Sequence, residues 1–97
     1  MTTANKNLSF FDKKSIPNAS NFKFGVVVSK WNEKITNNLL DGVLDTLYSF
    51  NVVQSNIVVF EVPGSFELIY GAKKINEKNV DAIICLGSII KGETKHF

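Results

Sequence analysis

The side chains best suited to chemistry in this chain lie directly after three apolar runs. Ser29 to Asn32 follow the first run, Pro63 to Glu67 follow the second, and Gly87 to Phe97 follow the third. Together these segments hold the only tryptophan, a carboxylate beside a Pro-Gly turn, and the only histidine of the chain. An indole, a carboxylate, hydroxyls and an imidazole can stack on, hydrogen-bond to and exchange protons with a flat, polar small molecule.

The first two segments have a structural explanation as well as a functional one. Trp31 could be a core aromatic, although its polar neighbours Lys30 and Asn32 favour a stacking platform for a flat ring. Ser65 and Glu67 could do no more than begin a helix. Glu67 could instead point into a crevice and accept hydrogen bonds from a polyol.

The third segment is equally open when it is considered alone. Gly92 to Thr94 could be a plain turn, or a nest of backbone N–H groups for a phosphate with Lys91 or Lys95 assisting. His96 could be a surface residue or a group that moves protons near neutral pH. Taken singly, these residues favour the structural explanations; their placement at one edge of a sheet would favour the functional ones.

Hydrophobic patterning divides the chain from Phe22 onward into alternating strands and helices. Continuous apolar runs predict buried strands, and apolar residues three and four positions apart predict helices. The predicted elements are a strand over Phe24–Val28, a helix over Glu33–Phe50, a strand over Ile57–Val62, a helix from Ser65 to about Lys78 and a strand over Asp81–Leu86. Asn32 and Ser65 are the predicted N-caps of the two helices. The residues predicted to point inward from the second helix are Leu68, Ile69, Ala72 and Ile75.

This order of elements predicts an α/β fold with a parallel sheet covered on both faces. The predicted architecture is a three-layer sandwich with a flavodoxin-like sheet whose C-terminal half is incomplete in this chain. Because the carboxyl ends of parallel strands share one edge, topology alone is expected to bring the three polar segments to one crevice. We expect either that another chain completes the fold or that the sequence is part of a longer protein. We also expect these 97 residues alone to aggregate or partly unfold, and to be inactive.

Composition excludes several classes of protein. The chain has 97 residues, 44% of them hydrophobic and 21% charged, which is typical of a globular domain and not of a disordered one. A net charge of +2 with scattered lysines argues against a nucleic-acid partner, and no stretch approaches the roughly 20 apolar residues of a membrane span. Arginine is absent, so any anion must be bound by lysines, hydroxyls and backbone N–H groups.

Cysteine usage and the N-terminus predict the compartment. A single cysteine excludes an internal disulfide and a multi-cysteine metal site. Cys85 lies within an apolar run and is predicted to be a buried structural thiol. The N-terminus lacks the basic and apolar regions of a secretory signal, so we expect a cytoplasmic protein.

The domain organisation is predicted to be simple. Residues 1–22 form an irregular N-terminal segment, and residues 23–97 belong to a single domain. The short apolar patch from Leu8 to Phe11 could be a terminal strand borrowed by a neighbouring subunit or a frayed end, and the frayed end is the better supported of the two.

Three motifs carry a resemblance to a known enzyme family. WNEKIT at 31–36, VPGSFE at 62–67 and GSIIKGETKHF at 87–97 resemble the lumazine synthase family in order and spacing. The resemblance implies condensation of 5-amino-6-(D-ribitylamino)uracil with 3,4-dihydroxy-2-butanone 4-phosphate. The implied product is 6,7-dimethyl-8-ribityllumazine, at the penultimate step of riboflavin biosynthesis. The resemblance implies no metal ion and no redox cofactor for this reaction.

The resemblance also implies roles for residues at the expected carboxyl edge. Trp31 would stack on the pyrimidine ring, and Glu67 would accept hydrogen bonds from ribityl hydroxyls. His96 would be the catalytic acid and base. The other residues implied to bind the pyrimidine substrate are Ser65, Phe66, Ser88, Ile89 and Ile90. Those implied to receive the phosphate of the second substrate are Gly92, Glu93 and Thr94. Asn32 and Lys91 are further candidates that would support the site.

The sequence departs from the family pattern at one position, and the resemblance also has a consequence for assembly. Lys91 stands where the family usually has arginine, which keeps the charge but loses the bidentate fork. Family members continue through further strands and helices, which supply a phosphate-binding arginine and an aromatic residue donated to the neighbouring subunit's site. The resemblance therefore implies a homo-oligomer, either a pentamer or an icosahedral shell of pentamers.

Two other functions stay open. One is a non-catalytic binding or shell-forming module on the same fold, which the presence of Glu67, Thr94 and His96 disfavours. The other is an archaeal-type riboflavin synthase, which shares the fold. Supplying the lumazine as substrate and measuring riboflavin would distinguish the second from a lumazine synthase.

Overall fold

The structure, a computed structural model, describes residues 11–92. Three strands and two helices alternate along these residues, as the hydrophobic patterning predicts. The elements are β1 (Phe24–Ser29), α1 (Glu33–Ser49), β2 (Ile57–Val62), α2 (Leu68–Asn76) and β3 (Ala82–Leu86). Short 3-10 turns occupy Lys13–Ser15, Gln54–Asn56 and Ser65–Glu67.

Both helices are shorter than predicted. The first ends at Ser49, and the N–H of Phe50 closes it by donating to the carbonyl oxygen of Leu47 at 3.1 Å. The second begins only at Leu68, because the predicted first turn is a 3-10 turn, and it ends at Asn76 before the predicted end at Lys78.

The sheet is parallel, with β1 in the centre and the order β2-β1-β3. Val26 of β1 lies opposite Val59 of β2 and opposite Ile84 of β3. Val26 and Val27 are completely buried, as expected for a strand that has a neighbour on each side and a helix on each face. The predicted α/β fold with a flavodoxin-like parallel sheet is confirmed.

The two helices cover opposite faces of the sheet. Successive residues of a strand point to opposite faces, so Gly25 and Val27 share one face. This face lies against α2, where a Cβ at Gly25 would overlap Ile75 and a Cβ at Gly71 would overlap Val27. The other face carries Ile84, which borders a groove along α1. The described residues therefore form three layers, helix on sheet on helix.

The main core lies between α2 and the sheet. Its buried members are Val27, Val62 and Ile75, and the partly buried side chains packed against them are Val58, Phe60, Leu68, Ala72, Val80 and Ile83. The prediction that Ile69 points inward is wrong, since its side chain is 80% exposed. The inward stripe of α2 runs from Leu68 to Ile75, and Ile69 is rotated from Leu68 by about 100° at 3.6 residues per turn.

The prediction that Cys85 is buried is also wrong. Its thiol is exposed in the described structure. Cys85 lies on β3, an outer strand of the sheet that has a neighbouring strand on only one side within residues 11–92, so it is less covered than the central strand. An apolar sequence run identified the strand, but the burial of each residue depends on whether the strand lies in the centre or at the outside of the sheet.

The segment before β1 packs on the carboxyl end of α1. The N–H of Ala19 donates to the carbonyl oxygen of Phe50 at 3.0 Å, and the ring centroids of Phe11 and Phe50 lie 6.0 Å apart. Of the apolar patch from Leu8 to Phe11, only Phe11 lies within the described residues. No helix between residues 11 and 92 is long and apolar enough to cross a membrane.

Candidate functional site

The candidate site lies where the chain changes direction in the sheet. From central β1 the chain crosses to β2 on one side and then returns to β3 on the other. In sheets of this kind, such a switch point opens a crevice at the carboxyl ends of the strands, between the loops that diverge. The three polar segments identified in the sequence all begin at this edge, as predicted from topology.

Backbone hydrogen bonds join the loop after β1 to the last residue of β2 and to the loop that follows it. The N–H of Lys30 donates to the carbonyl oxygen of Val62 at 2.7 Å, and the N–H of Trp31 donates to that of Pro63 at 2.9 Å. Trp31 is 53% exposed, so the core-aromatic alternative does not describe it. Its indole lies at the edge of the sheet with about half of its surface accessible.

Asn32 occupies the predicted N-cap position of α1 but does not cap the helix with its side chain. Its backbone is in the left-handed region, with φ 62° and ψ 47°. Its side-chain Nδ2 instead donates to the hydroxyl of Ser88 at 3.1 Å. Asn32 therefore links the loop after β1 to the loop after β3, across the switch point.

The prediction that Ser65 is the N-cap of the second helix is wrong. Ser65 is the first residue of the 3-10 turn, Gly64 takes the cap position, and no side-chain cap hydrogen bond is formed. The Ser65 hydroxyl donates to the carbonyl oxygen of Ser88 at 3.0 Å. This approach requires glycine at position 87, because a Cβ there would lie 2.9 Å from Ser65 Oγ and 2.7 Å from Leu68 Cδ1.

Glu67 and Phe66 complete the loop after β2. The Glu67 carboxylate folds back toward the turn, since a Cβ built on Gly64 would lie 3.1 Å from Glu67 Oε1. The N–H of Glu67 donates to the carbonyl oxygen of Gly64 at 3.2 Å, which holds the turn. Phe66 is 87% exposed and packs on little within the described residues.

The loop after β3 carries the remaining candidates. Ile89 and Ile90 are mostly exposed, and Lys91 and Gly92 are exposed at the end of the described residues. The candidates Glu93, Thr94 and His96 lie outside the described residues. The structure thus brings the residues implied to bind the pyrimidine to one edge, and their binding roles stay predictions.

The family model of 6,7-dimethyl-8-ribityllumazine synthase matches residues 21–97. The chain is 55% identical to the 6,7-dimethyl-8-ribityllumazine synthase of Flavobacterium psychrophilum, over all of this chain and 52% of that protein. It is 52% identical to the synthase of the same name from Christiangramia forsetii, over all of this chain and 59% of that protein. The chain belongs to the 6,7-dimethyl-8-ribityllumazine synthase family.

The family resemblance inferred from the three motifs is therefore confirmed. The chain spans about half the length of the curated lumazine synthases it matches. A third relative, from Parabacteroides distasonis, is 50% identical over all of this chain and 61% of that protein. Similarity thus extends along the whole 97 residues and includes the segment before Phe24.

Two buried hydroxyls at this edge escaped the sequence reasoning. Ser29 ends β1 and Thr36 lies near the start of α1, on either side of the loop that carries Trp31. Both are buried, and neither hydroxyl has a hydrogen-bond partner in the described part of the chain. Two features of the sequence could have indicated these buried hydroxyls. Ser29 is a polar residue at the end of a valine run, and Thr36 lies four positions after Asn32, where the helix is predicted to start.

The edge combines apolar and polar groups in a pattern suited to a flat heterocycle. Trp31, Phe66, Ile89 and Ile90 supply exposed apolar surface in the loops of this lumazine synthase family member. The polar groups among them form hydrogen bonds to one another. Sites for small ring systems typically join apolar walls to a few fixed polar groups that set the orientation of the ligand.

Proposed function

We propose that the whole protein condenses 5-amino-6-(D-ribitylamino)uracil with 3,4-dihydroxy-2-butanone 4-phosphate to give 6,7-dimethyl-8-ribityllumazine. The observation that carries this proposal is 55% identity to a lumazine synthase along all 97 residues. The convergence of three polar loops at the switch point supports it, because the proposed substrates need one crevice that holds both.

The pyrimidine substrate is the one that the described residues are suited to bind. Trp31 would stack on the ring, since about half of its indole is accessible at the edge. The hydroxyls of Ser65 and Ser88 would meet the polar groups of the ring, and the Glu67 carboxylate would accept hydrogen bonds from the ribityl chain. The apolar walls of the ring site would come from Phe66, Ile89 and Ile90.

The phosphate substrate would be bound by the end of the loop after β3. Backbone N–H groups from Gly92 to Thr94, with the Thr94 hydroxyl, would receive the phosphate. Lys91 would supply a positive charge without the fork of a guanidinium. A phosphate with two negative charges is bound more tightly when an arginine contacts it as well. We expect a further segment of the whole protein to supply this arginine.

His96 is the proposed catalytic residue. An amine of the pyrimidine attacks the ketone carbon, a proton leaves the nitrogen, and water departs from the same carbon to form an imine. The imidazole of His96 would accept and return these protons, which contributes roughly 10²–10⁴-fold in comparable enzymes. Phosphate then leaves, and ring closure with loss of water gives the lumazine.

Positioning supplies the rest of the proposed rate enhancement. An amine and a ketone react without a metal ion or a redox cofactor once they are held in contact. Fixing two reactants in a productive orientation can lower a barrier by roughly 7–11 kcal/mol in the best intramolecular cases. The hydrogen-bonded loops at the switch point would provide this fixed geometry.

The assembly and compartment proposed here follow the family. We propose a homo-oligomer with sites between adjacent subunits, either a pentamer or an icosahedral shell of pentamers, acting in the cytoplasm. Exposed Phe66 and Ile69 offer apolar surface beside the edge for such contacts. Native mass spectrometry of the whole protein measures the number of subunits, and a monomer at micromolar concentration would contradict an assembly of this kind.

The activity is tested by incubating the whole protein with both substrates. The expected product is 6,7-dimethyl-8-ribityllumazine, identified by its absorbance and mass, and each substrate alone is the control. No product above the uncatalysed reaction, at saturating concentrations of both substrates, would overturn the proposed function. Supplying the lumazine alone and detecting riboflavin would instead support the alternative of a riboflavin synthase.

The role of His96 is tested separately from binding. His96→Ala should slow product formation roughly 10²–10⁴-fold. The affinity for the pyrimidine, measured by quenching of Trp31 fluorescence, should stay within about twofold of wild type, since the imidazole acts on protons and not on the ring. Turnover at the wild-type rate would remove His96 from its proposed role.

A further inference from the structure

Ser88 is the residue at which the loops after all three strands meet. Asn32 Nδ2 donates to its hydroxyl at 3.1 Å, from the loop after β1. Ser65 Oγ donates to its carbonyl oxygen at 3.0 Å, from the loop after β2. Two neutral hydrogen bonds from distant parts of the chain therefore converge on one residue of the loop after β3.

These two hydrogen bonds determine which of the two serines still has a hydroxyl hydrogen to donate. Ser88 Oγ accepts from Asn32, so its own hydrogen points elsewhere, and none of residues 11–92 is seen to accept it. Ser65 uses its only hydroxyl hydrogen on Ser88, so its Oγ can only accept from a ligand. The edge thus presents a donor at Ser88 and an acceptor at Ser65.

The backbone of Asn32 explains why its amide reaches Ser88. An N-cap residue usually has extended backbone, and its side chain accepts from N–H groups of the first helical turn. Asn32 is left-handed instead and makes no such bond. Asparagine adopts this conformation more readily than most residues other than glycine. Its amide is thereby released from the helix for the contact across the switch point.

We propose that Asn32 is a positioning residue that orients the Ser88 hydroxyl as a hydrogen-bond donor toward the pyrimidine ring, with Ser65 as the matching acceptor. This inference rests on the proposed function, because the ring is the uracil of the proposed substrate. A uracil edge carries carbonyl acceptors beside an N–H donor, which complements a donor and an acceptor presented together. Asn32 would select the ring by the direction of hydrogen bonds, while Trp31 provides stacking.

The test reverses the direction of the Asn32 contact and measures pyrimidine affinity in the whole protein by Trp31 fluorescence quenching. Asn32→Asp keeps the shape and tolerates left-handed backbone, but a carboxylate can only accept, so it takes the Ser88 hydrogen. We expect binding to weaken roughly tenfold or more, because a polar group of the ring loses its partner. Asn32→Gly keeps the backbone and frees Ser88 to rotate, so binding should weaken only about two- to threefold.

Two further variants separate orientation from the added charge. Ser88→Ala should weaken binding by about the same factor as Asn32→Asp, roughly tenfold, since both remove the same donor. The double variant Asn32→Asp with Ser88→Ala should bind the pyrimidine as tightly as Ser88→Ala alone does. Asn51 and Asn79 are left-handed asparagines elsewhere in the fold, with φ 73° and 58°. Asn51→Asp and Asn79→Asp are therefore matched controls, and both variants should bind the pyrimidine with wild-type affinity.

Several outcomes would overturn the inference. If the contact only ties the loops together, Asn32→Gly should bind more weakly than Asn32→Asp, which is the opposite ranking. If the double variant binds the pyrimidine much more weakly than Ser88→Ala does, the loss of affinity comes from the added carboxylate charge and not from the lost donor. Circular dichroism shows whether Asn32→Asp folds. If it does not fold, the test is the affinity of Ser88→Ala for the pyrimidine, and an affinity equal to that of wild type overturns the inference.

The failure of this inference is distinguishable from the failure of the proposed function. Wild-type protein that binds the pyrimidine and forms product, with Asn32→Asp binding equally well, overturns the role of Asn32 alone. Wild-type protein that does not bind the pyrimidine overturns both.

Discussion

At the scale of single residues, neutral hydrogen bonds link the segments that form the candidate site. The bonds from Lys30 and Trp31 to the loop after β2, and from Asn32 and Ser65 to Ser88, all involve backbone groups, hydroxyls or an amide. Each such bond adds about 0.5–1.5 kcal/mol of net stability. Because these bonds join segments that follow different strands, they hold the edge in place before any ligand binds.

The buried Thr36 hydroxyl gives a prediction about stability. Thr36 is fully buried, and its hydroxyl has no hydrogen-bond partner within residues 11–92. An unsatisfied buried hydroxyl costs about 1–3 kcal/mol, so Thr36→Val, which keeps the shape, should stabilise the whole protein by about 1 kcal/mol. Urea denaturation measures this change. A loss of more than about 1 kcal/mol would mean that the hydroxyl has a partner in the whole protein.

The residue types at the site were predictable, whereas their partners were not. The sequence placed Asn32 and Ser65 at helix starts because capping is a local pattern, read from the next few residues. Both side chains instead bond to Ser88, which is 56 positions from Asn32 and 23 from Ser65. Such contacts depend on the left-handed turn at Asn32 and on the close approach at Gly87, neither of which composition or periodicity encodes.

At the scale of elements, the position of α2 depends on Gly71. A Cβ at this residue would overlap Val27 and lie 2.9 Å from Val62 Cγ1. The glycine therefore allows the helix to lie close to the sheet, which places the preceding Ser65–Glu67 turn at the carboxyl edge. The spacing between helix and sheet is thus coupled to the geometry of the candidate site.

Replacing Gly71 and Gly42 by alanine should have opposite effects on stability. Gly71→Ala should destabilise the whole protein by roughly 1–3 kcal/mol, because overlap in a packed core outweighs the gain in helix propensity. Gly42 lies in α1 with nothing within 4 Å of an added Cβ, so Gly42→Ala should stabilise by roughly 0.5–1 kcal/mol. Urea midpoints of the two variants test this. If both variants shift the urea midpoint equally and in the same direction, the close packing at Gly71 does not determine the effect of the added methyl group on stability.

Hydrophobic periodicity predicted every strand and α-helix of the described structure, yet it misplaced particular side chains. Runs rich in valine and isoleucine identified the three strands because buried parallel strands are apolar on both faces. The errors at Ile69 and Cys85 concern burial, which depends on the rotation of α2 and on the position of β3 at the outside of the sheet. These are tertiary properties, and a local pattern fixes them only approximately.

At the scale of the whole molecule, the described residues leave much apolar surface exposed. Phe66, Ile69, Ile89 and Ile90 are all more than half exposed, and the outer strands β2 and β3 each have one unpaired edge within residues 11–92. Surfaces of this kind in soluble proteins are normally covered by further chain or by another subunit. The family relationship, in which this chain spans about half of its relatives, agrees with such cover.

This surface predicts how the 97 residues behave when they are expressed by themselves. We expect them to associate or partly unfold, because the exposed edges and apolar side chains favour contacts between chains. Size-exclusion chromatography with light scattering and a thermal melt by circular dichroism measure this. A cooperative melt of a soluble 10.8 kDa species would contradict the prediction.

The most direct test of the proposed pyrimidine site is a crystal structure of the whole protein with 5-amino-6-(D-ribitylamino)uracil bound. The ring should lie against Trp31 at the β1–β3 switch point, with Ser65 Oγ and Ser88 Oγ within hydrogen-bond distance of its polar edge. A ring bound elsewhere, or one whose polar edge faces neither serine while Trp31 makes no contact with it, would contradict the site described above.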